Sequence, residues 1–340
     1  MPFDFSTGII MRCNFEIAKR LDPDIFEIYT FCKEGKVGDL PKNIIPIITR
    51  EGGAFRNFSV LPRMLDKKVN IVQTIGGSPS DFILSSLCKI KDPRIKQVVH
   101  TTFSTSRVDG GTLWNYLSGI SMYKEADVIV AVSDYVKRSL KKYHSIESQV
   151  IYNGVDTEFF HPEPHHNERI RVLYVGRLQY FKRPLYITKL AKDFPQLDFS
   201  IYGDGPLKPK LEGVSHNLKN FTIHSFTPHE KLKHVYSNSD IFLFPSIFEG
   251  FSCSMLEAAA SGLPIIASNA ASMPEFIEHG REGFLFRNYE QAKKFLSYLI
   301  DDENTRKDFS NHARIKSLKF DWKVIATQYS NLYKRLVEEA

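Results

Sequence analysis

The amino-acid sequence predicts an α/β protein built from two doubly wound, Rossmann-like domains. Three observations carry this. Short β-branched runs alternate with helical patterns along nearly the whole chain. The strand candidates are continuous apolar runs, as parallel strands covered on both faces require, not alternating ones. At 340 residues, the chain exceeds what one core comfortably fills, and about 150 residues per domain suits two.

The strands come in two series. The first is "IFEIYTF" from Ile25, "NIIPIIT" from Asn43, "VNIVQTI" from Val69, "KQVVHTTF" from Lys96 and "DVIVAVS" from Asp127. The second is "RVLYVGRL" from Arg171, "LDFSIYG" from Leu197, "FTIHSF" from Phe221, "DIFLFPS" from Asp240 and "LPIIAS" from Leu263. Helical stretches between them imply βαβ units. Between the series lies "YNGVDTEFFHPEPHHNERI", from Tyr152 to Ile170, with two prolines and a turn-forming Asn153-Gly154 pair. It reads as a solvated linker. Its histidines His161, His165 and His166 have no partner cluster with metal-ligand spacing.

Composition excludes several classes. Hydrophobic residues at 42% and charged residues at 25% are ordinary for a globular chain. The cysteines Cys13, Cys32, Cys88 and Cys253 form no C-x-x-C pair, which suits a reducing compartment. The N-terminus lacks a basic and then apolar signal pattern, and no run approaches the ~18 apolar residues of a membrane span. A soluble, cytoplasmic protein is expected. A formal net charge of +6 favours anionic ligands or an anionic membrane surface, and no base-reading motif points to nucleic acid.

Ligands of doubly wound sheets sit at the carboxyl ends of the strands, and those ends carry the informative residues. Gly52-Gly53, Gly76-Gly77 and Gly110-Gly111 serve either as turns or as backbone kept small at a cleft mouth. His100 ends an apolar strand, as a satisfied core histidine or, at a cleft edge, as a hydrogen-bond partner of a sugar hydroxyl or donor phosphate. In "SIFEGFSCSMLEAAASGLP" a helix starts near Ser252 and stops at Gly262. Glu249 then falls in the preceding loop and Glu257 on the second turn. Gly250 and the small residues Ser252, Cys253 and Ser254 admit a phosphate to the helix N-terminus, and Glu257 offers acceptors to a ribose diol. A helix cap with one snorkelling acid is the alternative. "YVGRLQYFKRP" sets Arg177 and Lys182 in a loop after a strand, where two cations either neutralise a diphosphate or are merely solvated. "IYGDGPLK" begins like a dinucleotide fingerprint, but Lys208 replaces the third glycine, which rejects an NAD site. Gly203 and Gly205 there make a plain turn or a seat for a base or ribose. Glu275, at a helix start in "SMPEFIEHGREGFLF", reads as structural.

These segments resemble glycosyltransferase family 4, the group 1 glycosyl transferases. "VGRLQYFK", "YGDGP", "HEKLKHVYSNSDIFLFPS", "FEGFSCSMLEAAASGLPIIAS" and "PEFIEHGREGFLF" occur in the family's order. The resemblance implies a GT-B fold, two Rossmann-like domains facing a central cleft. The acceptor-binding domain would span 1–153, the donor-binding domain 154–320, and a helix at 321–340 would cross back to the first. It implies a retaining, metal-independent sugar transfer with a nucleotide-sugar donor, a glycan or lipid-linked acceptor and no cofactor. Glu257 would bind the ribose, and Glu249 with the Gly250, Phe251 and Ser252 amides would contact donor sugar and diphosphate. Arg177 and Lys182 would stabilise the leaving diphosphate, and His100 would touch the sugar near the reacting carbon. Gly203, Gly205, Phe226 and Gly8 complete the implied donor site.

Some positions depart from the family pattern. The chain begins where the first strand has normally ended, so a start further upstream is expected. Ile9 follows Gly8 where a second glycine is common, Ala271-Ser272 replace a frequent Gly-Gly pair, and Arg183 stands where glycine is frequent. A non-catalytic sugar-nucleotide-binding subunit and a sugar-nucleotide epimerase of the same fold are the alternatives. The basic helix "SDYVKRSLKKYH" suits either a solvated face or peripheral contact with anionic membrane.

Overall fold

The computed structural model describes residues 9–33, 40–49, 69–75, 79–102 and 121–339. Gly8 and the pairs Gly52-Gly53, Gly76-Gly77 and Gly110-Gly111 lie outside them. The chain divides into two compact units, Met1–Asn153 with Trp322–Ala340, and Gly154–Asp321.

In the first unit, β1 (Ile28–Lys33) pairs in parallel with β2 (Ile44–Thr49). A second, parallel sheet runs β3 (Ile71–Ile75), β4 (Lys96–Thr101), β5 (Val128–Ala131) and β6 (Gln149–Val150), in that order. Val98, Val99, Val130 and Ala131 are fully buried there, which explains the unbroken apolar runs. The helix Trp322–Glu338 buries Trp322, Ile325, Tyr329, Leu332, Tyr333 and Leu336, one stripe at the helical period. That stripe packs on the helix Ile9–Ala18.

The second unit holds a six-stranded parallel sheet in the order β12-β11-β10-β7-β8-β9. Its strands are β7 (Arg171–Val175), β8 (Asp198–Tyr202), β9 (Phe221–His224), β10 (Ile241–Phe244), β11 (Ile265–Ser268) and β12 (Gly283–Phe286). Every residue of β10 and β11 is buried. The chain builds β7, β8 and β9 outward in one direction, then returns to β7 and builds β10, β11 and β12 in the other. The order therefore reverses between β7 and β10, where the carboxyl ends of two neighbouring strands open a crevice. Two strands escape the sequence reading. β6 is two residues long, and β12 sits inside "GREGFLF" without a β-branched run.

The expected solvated linker is only half so. Its first part, from Val155 to Phe160, is bound into the second unit. Val155 N–H donates to the Phe320 carbonyl at 2.9 Å, and Thr157 N–H donates to Asp321 Oδ2 at 3.1 Å. The Arg314 guanidinium donates to the carbonyls of Thr157, Phe160 and Ala260 at 3.1, 2.9 and 2.8 Å. Phe160 is fully buried. A guanidinium offers donors in a rigid fork, so one side chain satisfies three carbonyls that would otherwise demand water.

Candidate functional site

The loop after β7 is shaped by a 3-10 turn, Tyr180–Lys182, closed by Arg183 N–H donating to the Tyr180 carbonyl at 3.1 Å. Arg183 adopts φ 51°, a left-handed conformation that glycine takes far more easily. The turn delivers Lys182 to Glu249, in the loop after β10, and the ammonium hydrogen-bonds and ion-pairs with Glu249 Oε1. The side chains are only 14% and 7% exposed. The ammonium also lies 5.6 Å from the ring centres of Phe181 and Phe244. Lys182 is thus not a merely solvated loop cation: it is held beside Glu249 at the carboxyl ends of β7 and β10. Arg177 is exposed and makes no ion pair among the described residues. Its carbonyl accepts from the buried Tyr174 hydroxyl at 3.0 Å. Burial, reinforced by the Glu249 carboxylate, pushes the Tyr174 pKa well up, so this phenol stays a donor.

Ser252 caps the helix Cys253–Ala260, its hydroxyl accepting from Met255 N–H at 3.3 Å. The helix N-terminus thus opens directly after Glu249 and Gly250, with its first-turn amides and dipole directed at that loop. The Phe251 side chain is buried against Phe320, centroids 5.4 Å apart, so only its backbone is left for a ligand. Glu257, on the second turn, is 5% exposed. Its Oε2 accepts from the Tyr236 hydroxyl at 2.9 Å, and His229 Nε2 stands 3.6 Å from Oε1. His229 stacks on Phe159 and meets Phe160 edge-on, centroids 5.1 and 4.9 Å away. Tyr236 and His229 escape the sequence reading. Both lie on the helix His229–Ser237, where an apolar-face tyrosine reads as ordinary packing.

Gly203 and Gly205 have a reason internal to the fold. A Cβ on Gly203 would lie 2.0 Å from the Gly176 carbonyl oxygen, and one on Gly205 2.6 Å from that of Leu178. The glycines let the loop after β8 press on the loop after β7, where Leu178 N–H donates to the Asp204 carbonyl at 2.9 Å. Asp204 Oδ2 also accepts from Phe226 N–H at 2.8 Å, leaving the Phe226 ring 68% exposed. Ala271 takes φ 50°, again left-handed, a conformation glycine takes far more easily.

His100 belongs to the first unit, within β4 rather than at its end, and is 1% exposed. Desolvation lowers its pKa to about 4, so the imidazole is neutral. Its Nδ1 lies 3.2 Å from Asn14 Oδ1, and its buried Nε2 has no partner among the described residues. Among the described residues, no group of three or more His, Cys, Asp or Glu is arranged to hold a metal ion. No described helix is long and apolar enough to cross a membrane.

Solved structures place this architecture. Sucrose-phosphate synthase from Thermosynechococcus elongatus aligns over 98% of this chain and 94% of its own, with TM-score 0.85 and 17% identity. The Anabaena protein HepE, in complex with UDP and glucose, aligns over 96% of both chains with TM-score 0.78 and 17% identity. The fold is GT-B, with two Rossmann-like units. The family model for glycosyl transferases group 1 matches residues 155–316, and that for glycosyltransferase family 4 matches residues 13–159. The chain belongs to this glycosyltransferase family. Among curated relatives, sulfoquinovosyl transferase of Arabidopsis thaliana is 31% identical over 52% of this chain and 38% of its own. An uncharacterized glycosyltransferase of Methanocaldococcus jannaschii is 28% identical over 67% of this chain and 66% of its own. For these two relatives the match spans less than two thirds of their own length.

Proposed function

We propose that the chain is a retaining, metal-independent glycosyltransferase that moves a hexose-type sugar from a nucleotide-sugar donor to a glycan, glycolipid or lipid-linked acceptor. The observation that carries this reading is the meeting of Lys182 and Glu249 at the switch point between β7 and β10, one turn before a helix N-terminus. Ligands of doubly wound sheets bind in that crevice, and a helix N-terminus there suits a phosphate. In this reading the first-turn amides and Arg177 hold the diphosphate, and Glu257 accepts from both ribose hydroxyls. Glu249 contacts the donor sugar, and Lys182 balances charge as the diphosphate leaves. Arg177, Lys182 and the helix dipole do work that a divalent ion does elsewhere. His100, Gly8 and Phe226 complete the donor site, His100 at the sugar. The exposed residues Arg138, Lys141, Lys142 and Tyr143 of the helix Asp134–His144 would rest on anionic membrane and bring a lipid-linked acceptor within reach.

HepE was solved with UDP and glucose, which makes UDP-glucose the first donor to try. The test is thermal stabilisation of wild type and Glu257→Ala by UDP, GDP, ADP and CMP, followed by transfer from the sugar form of the active nucleotide. A ligand at 100 times its Kd adds about 2.7 kcal/mol. Stabilisation that is lost in Glu257→Ala, with transfer and an unchanged anomeric configuration, supports the proposal. Binding without transfer would favour the non-catalytic subunit. Conversion of the donor without an acceptor would favour the epimerase.

A further inference from the structure

Behind His100 lies a chain of two half-buried amides and a tyrosine hydroxyl, all within the first unit. His100 Nδ1 lies 3.2 Å from Asn14 Oδ1. Gln73 Nε2 donates to the same oxygen at 3.2 Å, and the hydroxyl of Tyr333, on the helix Trp322–Glu338, donates to Gln73 Oε1. The direction of this chain has a consequence for the imidazole. A phenol that donates to Gln73 Oε1 turns the Gln73 amide NH2 toward Asn14. Asn14 must then present its carbonyl oxygen, which only accepts. His100 Nδ1 therefore carries the proton, and Nε2 carries the lone pair. Reversing the amides would present Asn14 NH2 to the ring and invert the tautomer. The Tyr329 ring lies edge-on to His100, centroids 6.1 Å apart, and holds the imidazole plane.

We propose that Asn14, Gln73 and Tyr333 are positioning residues that lock His100 in the Nδ1–H tautomer, so that Nε2 accepts a hydrogen bond from a hydroxyl of the bound sugar. That Nε2 has no partner among the described residues is the second observation. A buried acceptor left unmade costs stability unless a ligand fills it. The proposal rests on the assignment of His100 to the sugar, and it connects the C-terminal helix to that contact.

The test is the tautomer, read by long-range proton–nitrogen NMR on the full chain without ligand, with His100 assigned by its loss in His100→Gln. In wild type the ring nitrogen coupled to both carbon-bound ring protons, Nε2, should show the unprotonated shift. Gln73→Glu cannot donate, so it turns Asn14 around and should put the proton on Nε2. Asn14→Asp only accepts, so it should keep the wild-type tautomer. Tyr333→Phe releases the Gln73 amide and should give a mixture of the two forms. Gln73→Glu should lower kcat/KM about tenfold, the loss of one neutral hydrogen bond, and Asn14→Asp should keep more activity. A wild-type Nε2–H tautomer, or tautomers indifferent to Gln73→Glu and Tyr333→Phe, would overturn the relay while leaving His100 in its sugar role. If the tautomer follows the relay but His100→Gln transfers sugar like wild type, the relay is real and the sugar contact is wrong. Because Tyr333→Phe and Asn14→Asp are nearly isosteric, the comparison survives a Gln73→Glu variant that fails to fold.

Discussion

Lys182 and Glu249, 67 positions apart in sequence, form a nearly buried ion pair across the crevice between β7 and β10. Shielded opposite charges are costly to separate, because the survivor keeps its desolvation penalty and loses its partner. Lys182→Met and Glu249→Gln should each destabilise the protein by about 3–5 kcal/mol, and the double variant by clearly less than their sum. Denaturant midpoints for the four proteins give the answer. Strict additivity would mean that the pair is not coupled. Each single variant should also lose about 10²–10³ in kcat.

The Tyr236 hydroxyl, 2.9 Å from Glu257 Oε2, aims one carboxylate oxygen and leaves Oε1 toward His229. Tyr236→Phe keeps the ring in its edge-on packing against Phe160, centroids 5.5 Å apart, and removes only the donor. It should raise the donor KM about three- to tenfold with little change in kcat, the loss of one neutral hydrogen bond. Glu257→Ala should abolish nucleotide stabilisation outright. A Tyr236→Phe enzyme with unaltered donor KM would sever the hydroxyl from ribose binding.

The legible parts of this protein are local ones. Ser252 announced its helix because a cap and an apolar run lie side by side, and "DIFLFPS" announced β10 because a doubly covered strand is apolar throughout. Glu249 and Glu257 stood out because carboxylates in small, apolar company need a reason. What stayed hidden depends on residues far apart in the chain. The partner of Lys182, the Tyr236 hydroxyl on Glu257 and the Asn14 amide on His100, 86 positions away, leave no periodic trace. Gly203 shows a subtler limit. Its glycine was readable, but its reason, a backbone approach to Gly176, was not.

Ala271 and Arg183 both sit at positive φ, 50° and 51°. A side chain in that region costs about 1–2 kcal/mol, and glycine returns part of that through the freedom of its unfolded chain. Ala271→Gly and Arg183→Gly should each stabilise by about 0.5–1 kcal/mol, read as a Tm rise of a few degrees. A lower Tm for either would show that its side chain makes contacts worth more than the strain.

His100 is the group whose protonation the fold resists most visibly. Its pKa falls from an ordinary 6.5 to about 4 because burial penalises the imidazolium. Between these values the unfolded chain binds the proton and the folded chain does not, so stability must fall as pH drops through that window. Above pH 7 neither form is charged and the contribution is constant. At pH 4 the loss should approach about 3 kcal/mol, from about 1.4 kcal/mol for each pH unit of the window. His100→Gln removes the titration, so its stability should change less between pH 7 and pH 5 than that of wild type. Denaturant unfolding of both proteins at the two pH values measures this difference. Parallel pH profiles would mean that His100 takes up its proton in the folded protein without penalty, and that its surroundings are more polar than the packing of β4 against Tyr329 implies.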